Sequence, residues 1–497
     1  MVIFNILRDL GYAVDTDLES YYTYIDEWTD WWKGYFSKFH KYQATDDQGN
    51  FITLYRKKLK MAKKVCEDWA NLLLNDKTLI NVDDDDTQSY LTGDEEEQQG
   101  GVLGRSKFWK MGNRLIEREF ASGTACFYLD LVRPNVLNGE LRADDVKIRY
   151  IRDARMIVPL SWENGEITEV ALASEQAHKG KRYLYLQLFL IHPKGYLVEN
   201  YFYEVNNESY KRVDNLNGIV DNYLLPCKPF VVISPNIENN LEDVPMGISI
   251  YANAIDQLKG CDLAYDNLYN DILLGKKRVF MNQAMFAMKQ ASSDPDDKRL
   301  KPDIPTTIEK TLYVITGTKT PSDEQFMQEY NPQLRVDENK ENIQLNLNIL
   351  SSKVGFGQHR YQFDAQAMAT ATEVRTSNKD LTESVWKQRI TIQDALTELV
   401  HSILILAKEK CGLPVNPDVK ISIQFDDTMF SDEETERMRF LQEISAGVRQ
   451  KWEYRVKYLG EEEEEAREMT GELEGMEPQG LEFPLDRLGA NPEDLNA

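Results

Sequence analysis

The stretch that most limits the fold lies between residues 372 and 410. Val374, Leu381, Val385, Ile392, Leu396, Leu399, Ile403 and Leu406 recur at three-, four- and seven-residue intervals. That is the spacing of one face of an α-helix. At 1.5 Å per residue the helix would run roughly 58 Å. Gly412 and Pro414 stop it. The chain of 497 residues, 42% of them hydrophobic, is long enough for a large core and two to four structural units.

Two further stretches read as long helices. In the first, residues 246–275, Ile255, Leu258, Cys261, Tyr265, Leu268 and Ile272 share one helical face. Pro245 and Gly247 precede it, and Gly275 ends it. Lys276, Lys277 and Arg278 follow, cations that suit the C-terminal end of a helix dipole. The whole would be roughly 40 Å long. The second, residues 336–353, is ambiguous. Ile343, Leu345, Leu347 and Ile349 alternate like a strand, whereas Ile343, Leu347, Leu350 and Val354 fit a helix. Helix is the reading adopted, because a helix flanked by neighbouring copies is apolar on more than one face. Between the two lies a mixed, proline-punctuated stretch with one strand-like run, "TLYVITGT". After them comes a polar loop, Gly355–Met368, carrying His359 and Arg360.

The N-terminal quarter reads as helical. Trp28, Trp31, Trp32, Tyr35 and Phe39 fall on one face, for core or subunit packing in preference to a membrane-surface helix. Leu59, Ala62, Val65, Cys66, Trp69, Leu72 and Leu73 form a second amphipathic face with a Lys-rich outer side. That side reads as solvated in preference to a nucleic-acid contact. From Thr124 the period changes to strands, "TACFYLDL" through "PFVVIS", with turn signals at Asn164-Gly165, Lys194-Gly195 and Asn217-Gly218. This is a mostly antiparallel β region in an α+β chain. Late in the chain, "VKISIQF" reads as a strand and Met429–Arg455 as a charged helix.

Charge and chemistry exclude more than they include. The net charge is −25. Asp76–Glu97 and Glu461–Ala497 together supply −19 of it, so the other 438 residues are close to balanced at −6. Such acidic blocks read as solvated loops or tails, without the ligand spacing of a calcium loop. Five scattered cysteines, with no CxxC, read as reduced thiols and no structural zinc. No apolar run reaches a membrane span, and Arg8 and Asp9 come too early for a secretory signal. No phosphate loop, GxSxG, HExxH or dinucleotide turn is present, so no catalytic, cofactor or metal residues are expected.

Several stretches resemble the portal proteins of tailed bacteriophages, most closely the branch from long-tailed phages of Gram-positive hosts. They are "KMAKKVCEDWANLLLND", "VPLSWENGEITEVALAS", "PMGISIYANAIDQLKGCDLAYDNLYNDILLGKKRVFM", "TATEVRTSNKDL" and "IQFDDTMFSDEETE". They occur in the family's order and span most of residues 20–470. The resemblance implies a phage portal architecture: wing, long-helix stem, small mixed α/β clip and C-terminal helical crown. Copies would form a ring, usually of twelve, around a DNA channel. On this chain the wing would be 1–244 plus the helix 372–410, and the stem helices 246–275 and 336–353. The clip would be 276–335, the tunnel loop 354–371, the crown 411–460, and 461–497 an acidic tail. Lys353, Gln358, His359, Arg360 and Gln362 would meet DNA at the tunnel loop, and Lys276, Lys277 and Arg278 at the stem–clip junction.

The implied function is a ring at one capsid vertex of the virion. Through it the terminase large subunit packages double-stranded DNA, and through it the genome is ejected. A head–tail adaptor would seat on it, and the major capsid and scaffolding proteins would assemble around it after synthesis in the bacterial cytoplasm. No enzymatic activity, cofactor or membrane is expected. A near-neutral bore suits sliding DNA, because gripping it would need many cations. The rivals are a minor capsid protein without a channel and a DNA-processing packaging enzyme.

Overall fold

The computed structural model describes residues 2–46, 48–93, 100–137, 140–206, 209–213, 222–282, 288–290, 300–302, 312–315, 327–362, 371–426, 433–445, 447–463, 466–467 and 469–470. Two compact units divide the chain, Met1–Asp426 and Asp427–Ala497.

In the first unit, helix Thr16–Lys33 begins where the Asp15 carboxylate accepts the Asp17 N–H. It ends at Gly34, left-handed at φ 74°. Tyr21, Tyr22, Ile25, Trp28 and Trp31 are buried, and the Trp32 indole donates to Glu117 at 3.0 Å. Tyr35 and Phe39 lie beyond Gly34, so the aromatic helix stops earlier than its spacing implies. A hairpin, Lys41–Thr45 against Phe51–Tyr55, stands where helix was expected. Helix Met61–Leu73 packs on Phe108–Ser122, with Trp69 stacked on Phe120 at 5.3 Å. The lysines on its outer side meet acids: Lys63 pairs with Glu67 and Glu117, and Lys64 with Asp68.

Besides a small hairpin, Asn135–Leu137 with Glu140–Arg142, the β region forms two antiparallel sheets among the described residues. One runs in the order Ser209–Arg212, Gly195–Asn206, Lys181–His192, Glu166–His178, Ile157–Glu163, with Asn222–Leu225 also on Gly195–Asn206. The other is Phe230–Ile233, Ala125–Val132, Asp145–Ile151. Phe189 of the first lies 5.5 Å from Phe230 and 6.3 Å from Tyr128 of the second, so the sheets share a core. Asn164 and Gly165 both have positive φ, 52° and 83°, as a two-residue hairpin turn demands. The Asn217-Gly218 turn lies outside the described residues.

The helix expected at 246–275 is Ile255–Leu274, 20 residues or roughly 30 Å, after a short 3-10 turn at Ala252–Ala254. The reason is tertiary. Gly247 N–H donates to Thr124 Oγ1, and Ile250 N–H and Ser249 Oγ donate to the Phe120 carbonyl. The Tyr251 hydroxyl donates to the Trp28 carbonyl at 2.7 Å. Backbone committed to those partners cannot also wind into a helix.

Helix Ala371–Glu409 spans 39 residues. By length and composition Lys379–Glu409 would qualify as a membrane span, contrary to the expectation that no such stretch exists. Its buried residues, among them Val385, Ile392, Leu396, Leu399, Ile403 and Leu406, make it a core helix. It packs on Phe230–Ile233 and on Ile421–Gln424, and the latter pairs with Leu79–Val82. Residues 411–426, expected in the crown, therefore belong to the first compact unit. The acidic block also has structural uses: Asp84 caps helix Asp85–Thr92, and Asp83 accepts the Lys420 N–H. Residues 94–99 of that block lie outside the described residues.

In the second unit the helix expected at 429–455 is two, Glu433–Ser445 and Lys451–Leu459. Gly447, at φ 72°, takes the chain between them. Phe440 packs between Tyr454 and Tyr458 at 6.0 and 5.5 Å. Of the tail, residues 471–497 lie outside the described residues.

Candidate functional site

Helices Ile255–Leu274 and Val336–Lys353 lie side by side. The period conflict in the second resolves as helix, with Ile343, Leu347 and Leu350 buried. Leu345 (59% exposed) and Ile349, the strand-like extras, face outward. Gly260 faces the second helix, where an added Cβ would meet the Asn346 side-chain oxygen. At the far end the Arg335 guanidinium donates to both Asp271 carboxylate oxygens, at 2.8 and 3.3 Å, and Asn339 Nδ2 adds a third bond at 2.9 Å. Those bonds hold the Asp271 carboxyl below the usual carboxylate range. Asp271, Arg335, Asn339 and their neighbours border a polar cavity of about 490 Å³. On the first helix Leu263, Tyr269, Ile272 (51%), Leu273 and Leu274 stay exposed. Both helices thus keep exposed apolar side chains, with Tyr269, Ile272 and Leu273 along one side of the first and Leu345 and Ile349 along one side of the second.

The loop after Lys353 leaves the second helix through two left-handed glycines, Gly355 at φ 87° and Gly357 at φ 72°. Its root is held firmly. The Trp69 indole donates to the Val354 carbonyl at 3.1 Å, and Phe356 stacks on Trp69 at 4.8 Å. The Tyr361 hydroxyl donates to Asp68 Oδ2 at 3.0 Å, and Gln344 Nε2 donates to the Tyr361 carbonyl at 2.8 Å. Burial, then the Asp68 charge, raises the Tyr361 phenol pKa, so it stays a donor. Lys353, Gln358 and His359 are exposed. Arg360 and Gln362 are half-buried: Arg360 lies over the Phe356 ring at 5.7 Å, and Gln362 Nε2 is 2.7 Å from His359 Nδ1. Residues 363–370, the rest of the expected loop, lie outside the described residues.

The basic junction is less uniform than its sequence. Lys276 and Lys277 are exposed, but Lys277 pairs with Glu329 at 2.6 Å. Arg278 is half-buried and opens strand Arg278–Asn282, which pairs parallel with Leu312–Ile315 and antiparallel with Met327–Tyr330. Most of the expected clip lies outside the described residues. Sequence reasoning missed the anchors Trp69, Asp68, Phe356 and Tyr361. The available signal was the aromatics Phe356 and Tyr361 among the polar residues at the start of the loop. Among the described residues no cluster suited to a metal occurs.

The profile of the family described as "Phage portal protein, SPP1 Gp6-like" matches residues 200–478. The chain belongs to the phage portal protein family. The match takes in helices Ile255–Leu274 and Val336–Lys353, the loop after Lys353 and helix Ala371–Glu409, more than half of the chain. This portal protein is therefore a structural component of a phage particle, with portal function and an oligomeric assembled form. No curated protein matches this chain. Two solved structures are similar at 12% identity, over 79% of this chain and 87% of theirs. One is "Neck of native GTA particle computed with C12 symmetry", with a TM-score of 0.34. The other is "Virion of native gene transfer agent (GTA) particle", with a TM-score of 0.32. At those scores they carry no weight for this chain's geometry or symmetry.

Proposed function

We propose that twelve copies of this portal protein close into a ring at one capsid vertex, leaving an axial channel for double-stranded DNA. The observation that carries this is the uncovered apolar flank on the paired stem helices Ile255–Leu274 and Val336–Lys353. In a family of oligomeric portals, sister copies are the natural cover. The wing is 1–244 with the long helix, the clip 276–335 and the crown 427–460, the part of the expected 411–460 that lies in the second compact unit, followed by the acidic tail 461–497. Gln358 and His359, exposed at a loop whose root is fixed, present polar groups to passing phosphates, with Lys353, Arg360 and Gln362 beside them. Lys276, Lys277 and Arg278 add cations at the stem–clip junction. Multiplied around a ring, a few cations per copy give brief contacts without a grip.

In this reading the terminase large subunit supplies the work of genome packaging, and the portal protein has no catalytic activity of its own. The same ring seats a head–tail adaptor, releases the genome on ejection, and nucleates head assembly with scaffolding and major capsid proteins. Assignment to the branch from phages of Gram-positive hosts rests on the sequence stretches alone.

Electron microscopy of the purified protein tests the reading. Rings with an axial hole are expected. Strictly monomeric particles at high concentration count against it, and assemblies without a hole favour a non-channel capsid protein. Turnover of DNA or ATP with a divalent metal, surviving stringent purification, favours a packaging enzyme.

A further inference from the structure

The hairpin Lys41–Thr45/Phe51–Tyr55 was anticipated by nothing in the sequence, and it lies outside the residues matched by the family profile. Its register pairs Tyr42 with Leu54 and Ala44 with Ile52. Those four residues share one face, which is wholly apolar. On that face Ile52 and Leu54 are 40% and 37% exposed and Tyr42 and Ala44 are half-buried; on the other face Phe51 is 78% exposed. A lone two-stranded hairpin is marginal in water, and an exposed apolar strand edge invites pairing.

Yet this hairpin is rigidly mounted. At its entry His40 Nε2 lies 2.9 Å from Asp262 Oδ2, with both side chains buried. At its exit the Lys57 N–H donates to Asp266 at 2.7 Å and the Leu59 N–H to Asp262 at 2.6 Å. Two carboxylates one turn apart on the first stem helix thus read alternate backbone N–H groups of the strand's continuation. Arg56 N–H donates to the His40 carbonyl, and its guanidinium donates to the Phe39 carbonyl and lies 4.6 Å from the Tyr42 ring.

We propose that this hairpin is an assembly clasp whose apolar face docks on the next copy of the same chain. The proposal rests on the ring reading above. A second copy is favoured by continuity: Lys57 Nζ sits 4.3 Å from the ring of Tyr269, so the hairpin's base runs into the exposed stem flank of Tyr269, Ile272 and Leu273. Charge disfavours nucleic acid. Residues 41–55 carry Lys41 against Asp46 and Asp47, whereas a phosphate-binding arm needs cations. The cations at the base lie over aromatic rings, Lys58 over Tyr35 at 4.5 Å and Arg56 over Phe39 at 4.8 Å. A closed ring joins unlike surfaces of successive copies, so an arm on one side meets a different face of its neighbour.

The test places a photo-crosslinking amino acid at position 52, on that face, in the full-length protein. A ladder of covalent dimers and higher multimers is expected. The double variant Ile52→Asp, Leu54→Asp should raise the concentration needed for half-assembly by ~10-fold or more, with an unchanged circular dichroism spectrum. Rings in micrographs with crosslinks confined to single chains would overturn the clasp. Crosslinking to added duplex DNA in place of protein would overturn it in favour of a nucleic-acid arm. Absence of rings would instead overturn the ring reading on which the clasp rests.

Discussion

Trp69 and Val354 are 285 positions apart in the chain, yet the Trp69 indole N–H donates to the Val354 carbonyl at 3.1 Å inside the core. This bond fixes the root of the candidate channel loop to the N-terminal helices. Under the channel reading proposed above the loop needs a rigid base, and Trp69 supplies one through the bond and through the stacked Phe356. Replacing Trp69 with Phe keeps a ring and deletes the donor. The unfolding free energy should fall by about 1–3 kcal/mol, because the Val354 carbonyl is left unpaired. Hydrogen exchange at residues 354–362 should rise while rings still assemble. Unchanged exchange there would show that stacking alone holds the root.

The exposed pair Gln358 and His359 separates the loop's contacts from its anchors. Tyr361 is bonded to Asp68, so deleting the whole segment would disturb the fold as well as the tip. Gln358→Ala with His359→Ala should leave melting temperature and ring assembly unchanged and lower DNA packaging or retention per particle. Normal packaging by the double variant would remove these two residues from the channel.

Glu119 gives a pH signature. It is buried, Oε2 has no hydrogen-bond partner among the described residues, and burial raises its pKa well above the ordinary carboxyl value. A carboxyl with a raised folded pKa holds its proton longer in the folded state than in the unfolded chain. Stability therefore falls as pH rises through the ordinary carboxyl range, and levels off only above the raised value. The Glu119→Gln variant should lack this fall, gaining about 1–3 kcal/mol relative to the native protein between pH 4 and pH 8. Parallel melting curves against pH for the two proteins would contradict it.

Asp271 ties the C-terminal end of helix Ile255–Leu274 to the N-terminal end of helix Val336–Lys353 through Arg335 and Asn339. Its carboxyl is held low, so that tie is complete above the ordinary carboxylate range and is lost as pH falls through the lowered value. Asp271→Ala should raise hydrogen exchange across residues 335–342 at neutral pH and leave the buried Ile343–Leu350 half of the helix protected. Equal exchange in both halves would mean the helices part as one body.

Local pattern alone was enough for several elements. The spacing from Val374 to Leu406 demanded one long helix, because only a helix brings those residues to one side. Alternation and turn residues located the main strands, because period two and positive-φ turn sites are local properties. The portal resemblance also rests on contiguous stretches, and the family match agrees with it. Distant partners decided the rest. Residues 246–251 lost their helix to the carbonyls and hydroxyls of Phe120, Thr124 and Trp28. "VKISIQF" joined Leu79–Val82 across more than 300 residues. The hairpin at 41–55 took its place from Asp262 and Asp266, and the loop's root took its place from Trp69. Propensity acts over a few residues, whereas these segments are placed by hydrogen bonds and burial whose partners are set only when the chain has folded.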